Sequence, residues 1–537
     1  MINKIVIAGG GFAGYITALL VKSIYASRYN PQCDIQVIES TKIGTIGVGE
    51  AVSQQLPGLL DVLNINPWEF LNAVNGTFKV TGRFDNWNYE GEKYHHVLKP
   101  VAALADIEID DNIENHLYFM ANEIPFEDLG FNNLAKVGKI PFEKDANNMY
   151  MPVKIPKDYK GTDSIASILG IHMEAQDSIH FLRKIVKGRG ITVTEGEIVD
   201  WKLEQDTGYL KTLILKNGQR INGDFFFDCT GFRRLIFNDI YKEEYIDYSK
   251  YIPQNSVSLA REINNKEGAG IPYKEGEGPW PFSIFDAQKN GWMFKIPLQH
   301  RIGSGYVYSD KLVDDDTIKQ EQIKYWKDRG YDVESVRTLK WKPGKFKRTV
   351  MKNCFAMGLS EGFTDPLDGG ALIIGLHGLQ DFLKQMTPYM VFDSYNYRKF
   401  NEHAIDAYEW LIEFVCFCHL SKREDSEYWR YFKDDNHIPI ELSEKLLQWA
   451  EDPLKSYEFQ HILNNHFPFG MGSWITVGQH NNYVGRPILA QRDLTYYNVE
   501  LSKLKKIHRD LEHIKKTVEK HSTPMMDVLK WSKEYFK

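Results

Sequence analysis

The 537-residue chain is poor in cysteine, with only Cys33, Cys229, Cys354, Cys416 and Cys418. Five scattered thiols build no disulfide framework, and no C-x-x-C pair offers a zinc site, so no metal is expected and a reducing compartment is the default. Positive charge is also in deficit: 65 Lys and Arg face 72 Asp and Glu, a net charge of −7. Such a chain has no overall basic field to hold a polyanion, which argues against nucleic acid as a partner. Long apolar runs are missing too. WLIEFVCFCHL carries Glu413 in its middle, and the apolar start MINKIVIAGGGFAGY breaks into glycines where a signal peptide would stay apolar. A cytoplasmic protein without a membrane partner is expected. Aromatics, by contrast, are plentiful (29 Tyr, 30 Phe, 12 Trp), as well-filled cores or an aromatic-walled pocket require.

The length allows three to four domains at about 150 residues each, or one large α/β domain with an appendage. Lys4 to Ala8 read as a short buried strand, followed by glycines and then an apolar pattern of helical length from Tyr15. Asp34 to Glu39 read as a second strand, which makes the opening a βαβ unit. Residues 175 to 195 repeat a helix and a strand, and Thr212 to Lys216 and Gly223 to Cys229 read as further strands. Ser256 to Asp310 alternate apolar and polar residues, the pattern of an antiparallel sheet. From Asp393 onward β signals thin out, and amphipathic stretches at Asn396 to Ser421, Ser443 to Ala450 and Ser502 to His521 predict a helical C-terminal region. No repeat or flexible linker separates the parts, so we divide the chain at 1–395 and 396–537 and expect the two regions to share an interface.

Gly9-Gly10-Gly11-Phe12-Ala13-Gly14 satisfies G-x-G-x-x-G between strand and helix, the context that gives the motif meaning. The first glycine permits the tight turn, the second lets a pyrophosphate reach the backbone, and the third packs helix on strand. Glu39, at the end of the next strand, is placed to accept from a ribose 2′-hydroxyl and disfavours a 2′-phosphate there. The motif alone leaves FAD and NAD both open. Two more elements suit the longer FAD: the strand reaching Asp228 and Gly231, which looks like the second fingerprint of FAD monooxygenase-type folds, and the stretch from Cys354 through Gly358 to Ser360. His95 and His96 alternate on a strand and point to opposite faces, and Lys345-Phe346-Lys347-Arg348 is a short basic run. Neither is assigned a role, nor are Cys416 and Cys418.

Other segments resemble the flavin-dependent tryptophan halogenase family. The W-x-W-x-I-P marker stands as Trp292-Met293-Phe294-Lys295-Ile296-Pro297, with Phe294 in place of the second Trp. T-I-G-V-G-E-A is intact from Thr45 to Ala51, including Gly47, Val48, Gly49 and Glu50. Phe78-Lys79, followed by Arg83-Phe84 and Asn86-Trp87, matches the catalytic lysine segment; Asn353-Cys354 with Gly358-Leu359, and Arg423-Glu424-Asp425 with Trp429, match two further ones. These landmarks run from about residue 5 to 430. The departure lies in the P-L-E-S-T turn, which here is Pro366-Leu367-Asp368-Gly369-Gly370.

The resemblance implies an α/β fold: a Rossmann-like FAD-binding domain of the flavin monooxygenase type, with an antiparallel substrate-side sheet and the helical C-terminal region packed on it. It implies FAD, used as FADH2 delivered by a separate flavin reductase, since no second fingerprint for a nicotinamide cofactor is present. It further implies O2 and a halide ion as co-substrates, and a small aromatic substrate. Gly9, Gly11, Phe12, Ala13, Gly14, Glu39, Gly47, Val48, Gly49, Glu50, Asp228, Gly231 and Gly358 would hold the cofactor. Lys79 would polarise hypohalous acid and Asp368 would take the ring proton. Gly369, Gly370 and Ala371 would bind halide through their amides, and Trp292, Phe294 and Pro297 would keep substrate away from flavin. Free tryptophan is not carried over, because the residues that grip it in the family find no aligned counterpart. Glycines in place of serine and threonine predict a wider halide site, a preference for bromide or iodide, and a shift toward chloride in Gly370→Thr. A single-component aromatic hydroxylase on the same fold and a non-catalytic flavin binder remain open, as does a homo-oligomeric state.

Overall fold

A computed structural model describes residues 1–41, 49–53, 55–98, 113–155, 169–260, 263–265, 278–333, 336–451, 469–483, 486–496 and 498–536. Its first sheet is ordered Thr192–Glu195, Asp34–Glu39, Lys4–Ala8, Phe225–Asp228, Cys354–Ala356, Val350–Met351, parallel throughout except for the last edge pair. Parallel strands are covered on both faces, which is why Ile5 to Ala8 and Phe225 to Phe227 are continuous apolar runs and fully buried. Helix Phe12–Leu20 follows the first strand and packs on helix Ala175–Gly188, whose Ile179, Leu182 and Val186 form one buried stripe.

The second sheet has seven strands in the order Val336–Lys340, Ser256–Ala260, Ile302–Tyr308, Gly291–Pro297, Phe282–Gln288, Thr81–Asp85, Lys93–Val97. The expected antiparallel sheet is there, but residues outside the predicted span extend it. Thr81–Asp85 pairs parallel with Phe282–Gln288, and Lys93–Val97 closes that edge. Beside it, Gly170–Met173 lies between Glu50–Val52 and Thr77–Lys79 in a small antiparallel sheet.

The C-terminal region is helical as expected, with long helices Tyr395–His419 and Leu501–His521. Glu413 is buried in the first of these and is neutralised by buried Lys445. The chain end returns to the N-terminal half: Thr523–Pro524 pairs with Lys139–Ile140, and Trp68 packs against Trp531 and Phe536. One hydrophobic cluster runs from Ile2 to Leu529, so both regions share a core. Among the described residues no helix is long and apolar enough to cross a membrane.

Candidate active site

The parallel register sets Ile38, Ala8, Asp228 and Ala356 side by side, so the turns that follow leave from one edge of the sheet. In an open parallel sheet this edge, where strand order reverses, is where ligands bind. The glycines there do different jobs. A side chain at Gly9, whose φ is +121°, would lie 2.1 Å from the Cys229 carbonyl oxygen, and one at Gly14 would lie 1.9 Å from the Gly9 oxygen. Both are fixed by backbone packing. Gly11 is the opposite case: a Cβ there meets nothing within 4 Å, and no side chain caps the helix start it forms. The open space over free helix amides is what a pyrophosphate needs. Gly358 (φ +66°) comes close to Ala13, and Ser360 Oγ donates to the Gly231 oxygen at 3.2 Å, so the three turns meet. The residues fit a dinucleotide such as FAD.

Two acids at this edge are already engaged. Glu39 accepts from Arg183 Nε at 2.9 and 3.0 Å and from the Tyr15 hydroxyl. Burial opposes its ionisation, but these hydrogen bonds outweigh it and hold the carboxyl below its ordinary value. Asp228 is fully buried and accepts from Thr230 Oγ1 at 2.7 Å and from the amides of Thr230, Ile236 and Phe237 at 3.1, 2.7 and 3.3 Å. Its carboxylate therefore fixes the turn that carries Gly231. Gly47 and Val48 lie outside the described residues. Gly49 has φ +126°, and burial followed by Glu174 pushes the Glu50 carboxyl up to about 7.

On the substrate side, Lys79 and Asp368 meet although 289 positions separate them: Lys79 Nζ donates to Asp368 Oδ1, and both are buried. Thr77 and Lys79 share a strand face while Phe78 turns to Trp68 and Phe142. The third member escaped sequence reasoning. His96 Nδ1 lies 2.7 Å from Asp368 Oδ2. The two histidines do point to opposite faces, His95 against Phe282 and His96 into the site, and the pairing of Lys93–Val97 with Thr81–Asp85 brings His96 there. Burial works against the Asp368 charge, but Lys79 and then His96 outweigh it and hold the carboxyl at about 2. His172 was also missed. It bonds Thr77 Oγ1 at 2.8 Å and Ser283 Oγ at 3.0 Å, and burial followed by the Lys79 charge keeps its imidazole far below its ordinary value.

Trp292 is buried against Phe285 and Trp87, at 5.9 and 6.4 Å between rings, and Phe294 lies on the same strand face across Gly305. The Pro297 oxygen accepts from Thr77 Oγ1 at 2.6 Å. The Trp292 strand joins the turn that carries Asp368 through Asp365. Burial pushes the Asp365 carboxyl up to about 7, with the Leu367 amide and Trp292 only partly opposing it. A carboxyl raised in the folded state holds a proton that the unfolded chain has released, so it lowers stability as pH rises from about 4 to about 7. Asp365→Asn keeps the acceptor for Leu367 and lacks that loss. Its unfolding midpoint relative to wild type should rise between about pH 5 and pH 7.5, and an unchanged offset in urea melts at both values would contradict this.

The turn from Pro366 to Gly370, expected to bind halide, corrects one expectation. Asp368 and Gly369 are both left-handed, at φ 52° and 72°, and Gly369 starts helix Gly370–Gln385 with no side-chain cap. The amides of Gly369, Gly370 and Ala371 thus begin a helix, as an anion site requires. Gly370 does not widen that site, however. A Cβ there would lie 2.6 Å from Leu411 and 2.9 Å from Phe469, so those side chains already fill the missing volume. Gly370→Thr is therefore expected to destabilise the fold by about 1–3 kcal/mol through overpacking. A thermal melt unchanged from wild type would contradict this.

The unassigned basic run also resolves: Lys345 is buried, while Lys347 and Arg348 pair with Glu244 and Glu243. All five cysteines are buried and unpaired, and among the described residues no His, Cys, Asp and Glu group could hold a metal.

The sequence profile of the tryptophan halogenase family matches residues 4–490. The chain belongs to that family. It is accordingly an oxidoreductase of the flavin-dependent halogenase class. The tryptophan 6-halogenase SttH of Streptomyces toxytricini is 26% identical over 458 residues, covering 83% of this chain and 84% of that one. The structure of Xcc4156, a flavin-dependent halogenase from Xanthomonas campestris, superposes with a TM-score of 0.77 at 25% identity, covering 99% of this chain and 98% of that one. A tryptophan halogenase from Shewanella frigidimarina gives 0.81 at 21% identity over 99% and 98% of the two chains, a likeness of fold. In this halogenase the matched landmarks serve as joints as well: Arg423 clasps Asp425, lies over Trp429, and reaches the Asn86 oxygen, tying the helical region to the second sheet.

Proposed function

We propose that this halogenase uses FADH2, O2 and halide to halogenate an electron-rich aromatic or heteroaromatic compound, with Lys79 and Asp368 as its catalytic residues. The buried meeting of Lys79, Asp368 and His96 carries this reading. Gly9, Gly11, Phe12, Ala13, Gly14, Gly231 and Gly358 would hold FAD, which supplies the oxidising equivalent that converts halide to hypohalous acid. The chain's own residues then govern the substitution, in which arene and hypohalous acid give haloarene and water. The Lys79 ammonium hydrogen-bonds the oxygen of the oxidant and makes its halogen more electrophilic. Asp368, ionised and held by two donors, faces the positive charge that develops on the ring and takes the ring proton as the aromatic system reforms. Trp292 and Phe294 wall substrate from flavin. Residues 1–395 form the FAD-binding and catalytic part, and 396–537 the helical substrate side, which contributes Phe414 and Phe469 beside His96.

Bromide or iodide is preferred over chloride in this reading. Their weaker hydration and easier oxidation support it, and the glycine turn adds no width to the argument. The test is mass spectrometry of an aromatic panel incubated with enzyme, FAD, a flavin reductase and equal bromide and chloride. Brominated products in excess are expected. Dominant chlorination would overturn the halide preference, and products carrying oxygen but no halogen would establish a hydroxylase instead.

A further inference from the structure

The Lys79–Asp368–His96 group leaves one polar atom unspent. His96 Nδ1 is committed to Asp368, while Nε2 is buried and has no protein partner among the described residues. Nδ1 faces an ionised carboxylate and so carries its hydrogen there, which in the neutral imidazole leaves Nε2 as an acceptor. A buried acceptor without a donor is costly and is normally met by water or ligand. The ring around it is bounded by aromatics: Phe414 and Phe469 each have centroids 5.9 Å from it and stack on one another at 4.2 Å, with Phe84 at 6.3 Å. These rings give the nitrogen an apolar surrounding, and it is connected through Asp368 to Lys79.

We infer that His96 Nε2 accepts a hydrogen bond from a donor on the substrate ring, a heteroaromatic N–H or a phenolic O–H, and thereby selects substrates that carry one. This deepens the proposed function and rests on it. The chemistry makes such a contact productive. Electrophilic attack places part of the ring's positive charge on that nitrogen or oxygen, so its hydrogen becomes a stronger donor and the bond to His96 tightens as the barrier is climbed. The donor hydrogen stays on the substrate throughout. His96 is thus a specificity-determining residue as well as the one that positions Asp368.

The test compares each donor with its methylated counterpart: indole against 1-methylindole, and phenol against anisole. Calorimetric binding to the full chain and bromination kcat/KM are both measured for wild type, His96→Phe and His96→Gln. Wild type should favour at least one donor over its methylated partner by about tenfold or more in both readouts, and the two pairs show whether N–H or O–H is the donor read. His96→Phe keeps the packing but has no acceptor, so its ratio should fall to near one. Glutamine can donate to Asp368 and still accept, so His96→Gln should recover part of the ratio. Within each variant any general loss from a misplaced Asp368 cancels, and a purely structural role would leave the ratio unmoved. A wild-type ratio near one for both pairs overturns the inference. So does a ratio that persists in His96→Phe, because the methyl group would then be rejected by shape alone. If His96→Phe does not fold, His96→Gln decides: its acceptor sits differently from an imidazole nitrogen, so a ratio below the wild-type value supports the acceptor and a ratio unchanged from wild type overturns it. Selective binding without halogenation would sink the proposed function and leave the recognition standing, whereas no binding of any probe would sink the inference.

Discussion

Lys79→Ala should lower aryl halogenation by about a thousandfold, the scale on which a positioned acid contributes, while FAD binding and oxidation of FADH2 persist. The two activities separate because Lys79 sits on strand Thr77–Lys79 against Asp368, away from the glycine turns that meet at the edge of the parallel sheet. The same substitution leaves Asp368 buried without its main counter-charge, and removing one partner of a buried pair costs about 3–5 kcal/mol. Its carboxyl should then shift up from about 2. A loss of stability is therefore part of the expected result, and Lys79→Met, which retains more of the stem packing, should show the same catalytic loss with a smaller structural one. Rapid-mixing measurement of flavin oxidation beside chromatographic product analysis reads both activities. Near wild-type halogenation by either variant would remove Lys79 from the mechanism.

The second large effect belongs to Gly11. Three glycines stand in one motif, but their surroundings differ. A side chain at Gly9 or Gly14 collides with backbone oxygen at about 2 Å, whereas one at Gly11 meets no protein atom within 4 Å. Gly11→Val should therefore fold with a near wild-type melting curve and bind FAD about a hundredfold more weakly, an overlap of about 1–3 kcal/mol falling wholly on the ligand. Gly9→Val and Gly14→Val should instead fail at folding. Flavin titration followed by fluorescence, with melts of the same samples, separates the outcomes. A Gly11 variant that binds FAD normally would take this turn out of the cofactor site.

What could be read from the sequence follows from how local each signal is. The strands Lys4–Ala8 and Asp34–Glu39 are found as expected because each is a short run of apolar or β-branched residues ended by a glycine or an acid. Thr81–Asp85, with Gly82, Arg83 and Asp85, has no such run. It is a strand because Phe282–Gln288 and Lys93–Val97 hold it from either side, and that is a tertiary cause. The same pairing accounts for His96. Its position on one strand face was legible, but that the face looks onto Asp368, 272 positions further along the chain, depends on tertiary packing. Lys79 and Asp368 stand out only through the resemblance of their segments to those of the halogenases, since nothing local distinguishes them from surface charges. Gly370 shows the reverse limit. Its missing side chain read as open space, and only the packing shows Leu411 and Phe469 already in it.

In the proposed mechanism the group around Lys79 and Asp368 directs an oxidised halogen, made with reduced FAD, onto an aromatic ring. The most direct measurement is a single turnover: enzyme loaded with chemically reduced FAD, without reductase, is mixed with oxygenated buffer containing bromide and indole, and the product is read by its mass and isotope pattern. A bromoindole carrying the paired bromine isotopes, absent when Asp368→Asn replaces wild type, is the result expected. Flavin oxidation with indole unchanged, or with indole gaining oxygen and no bromine, would contradict it.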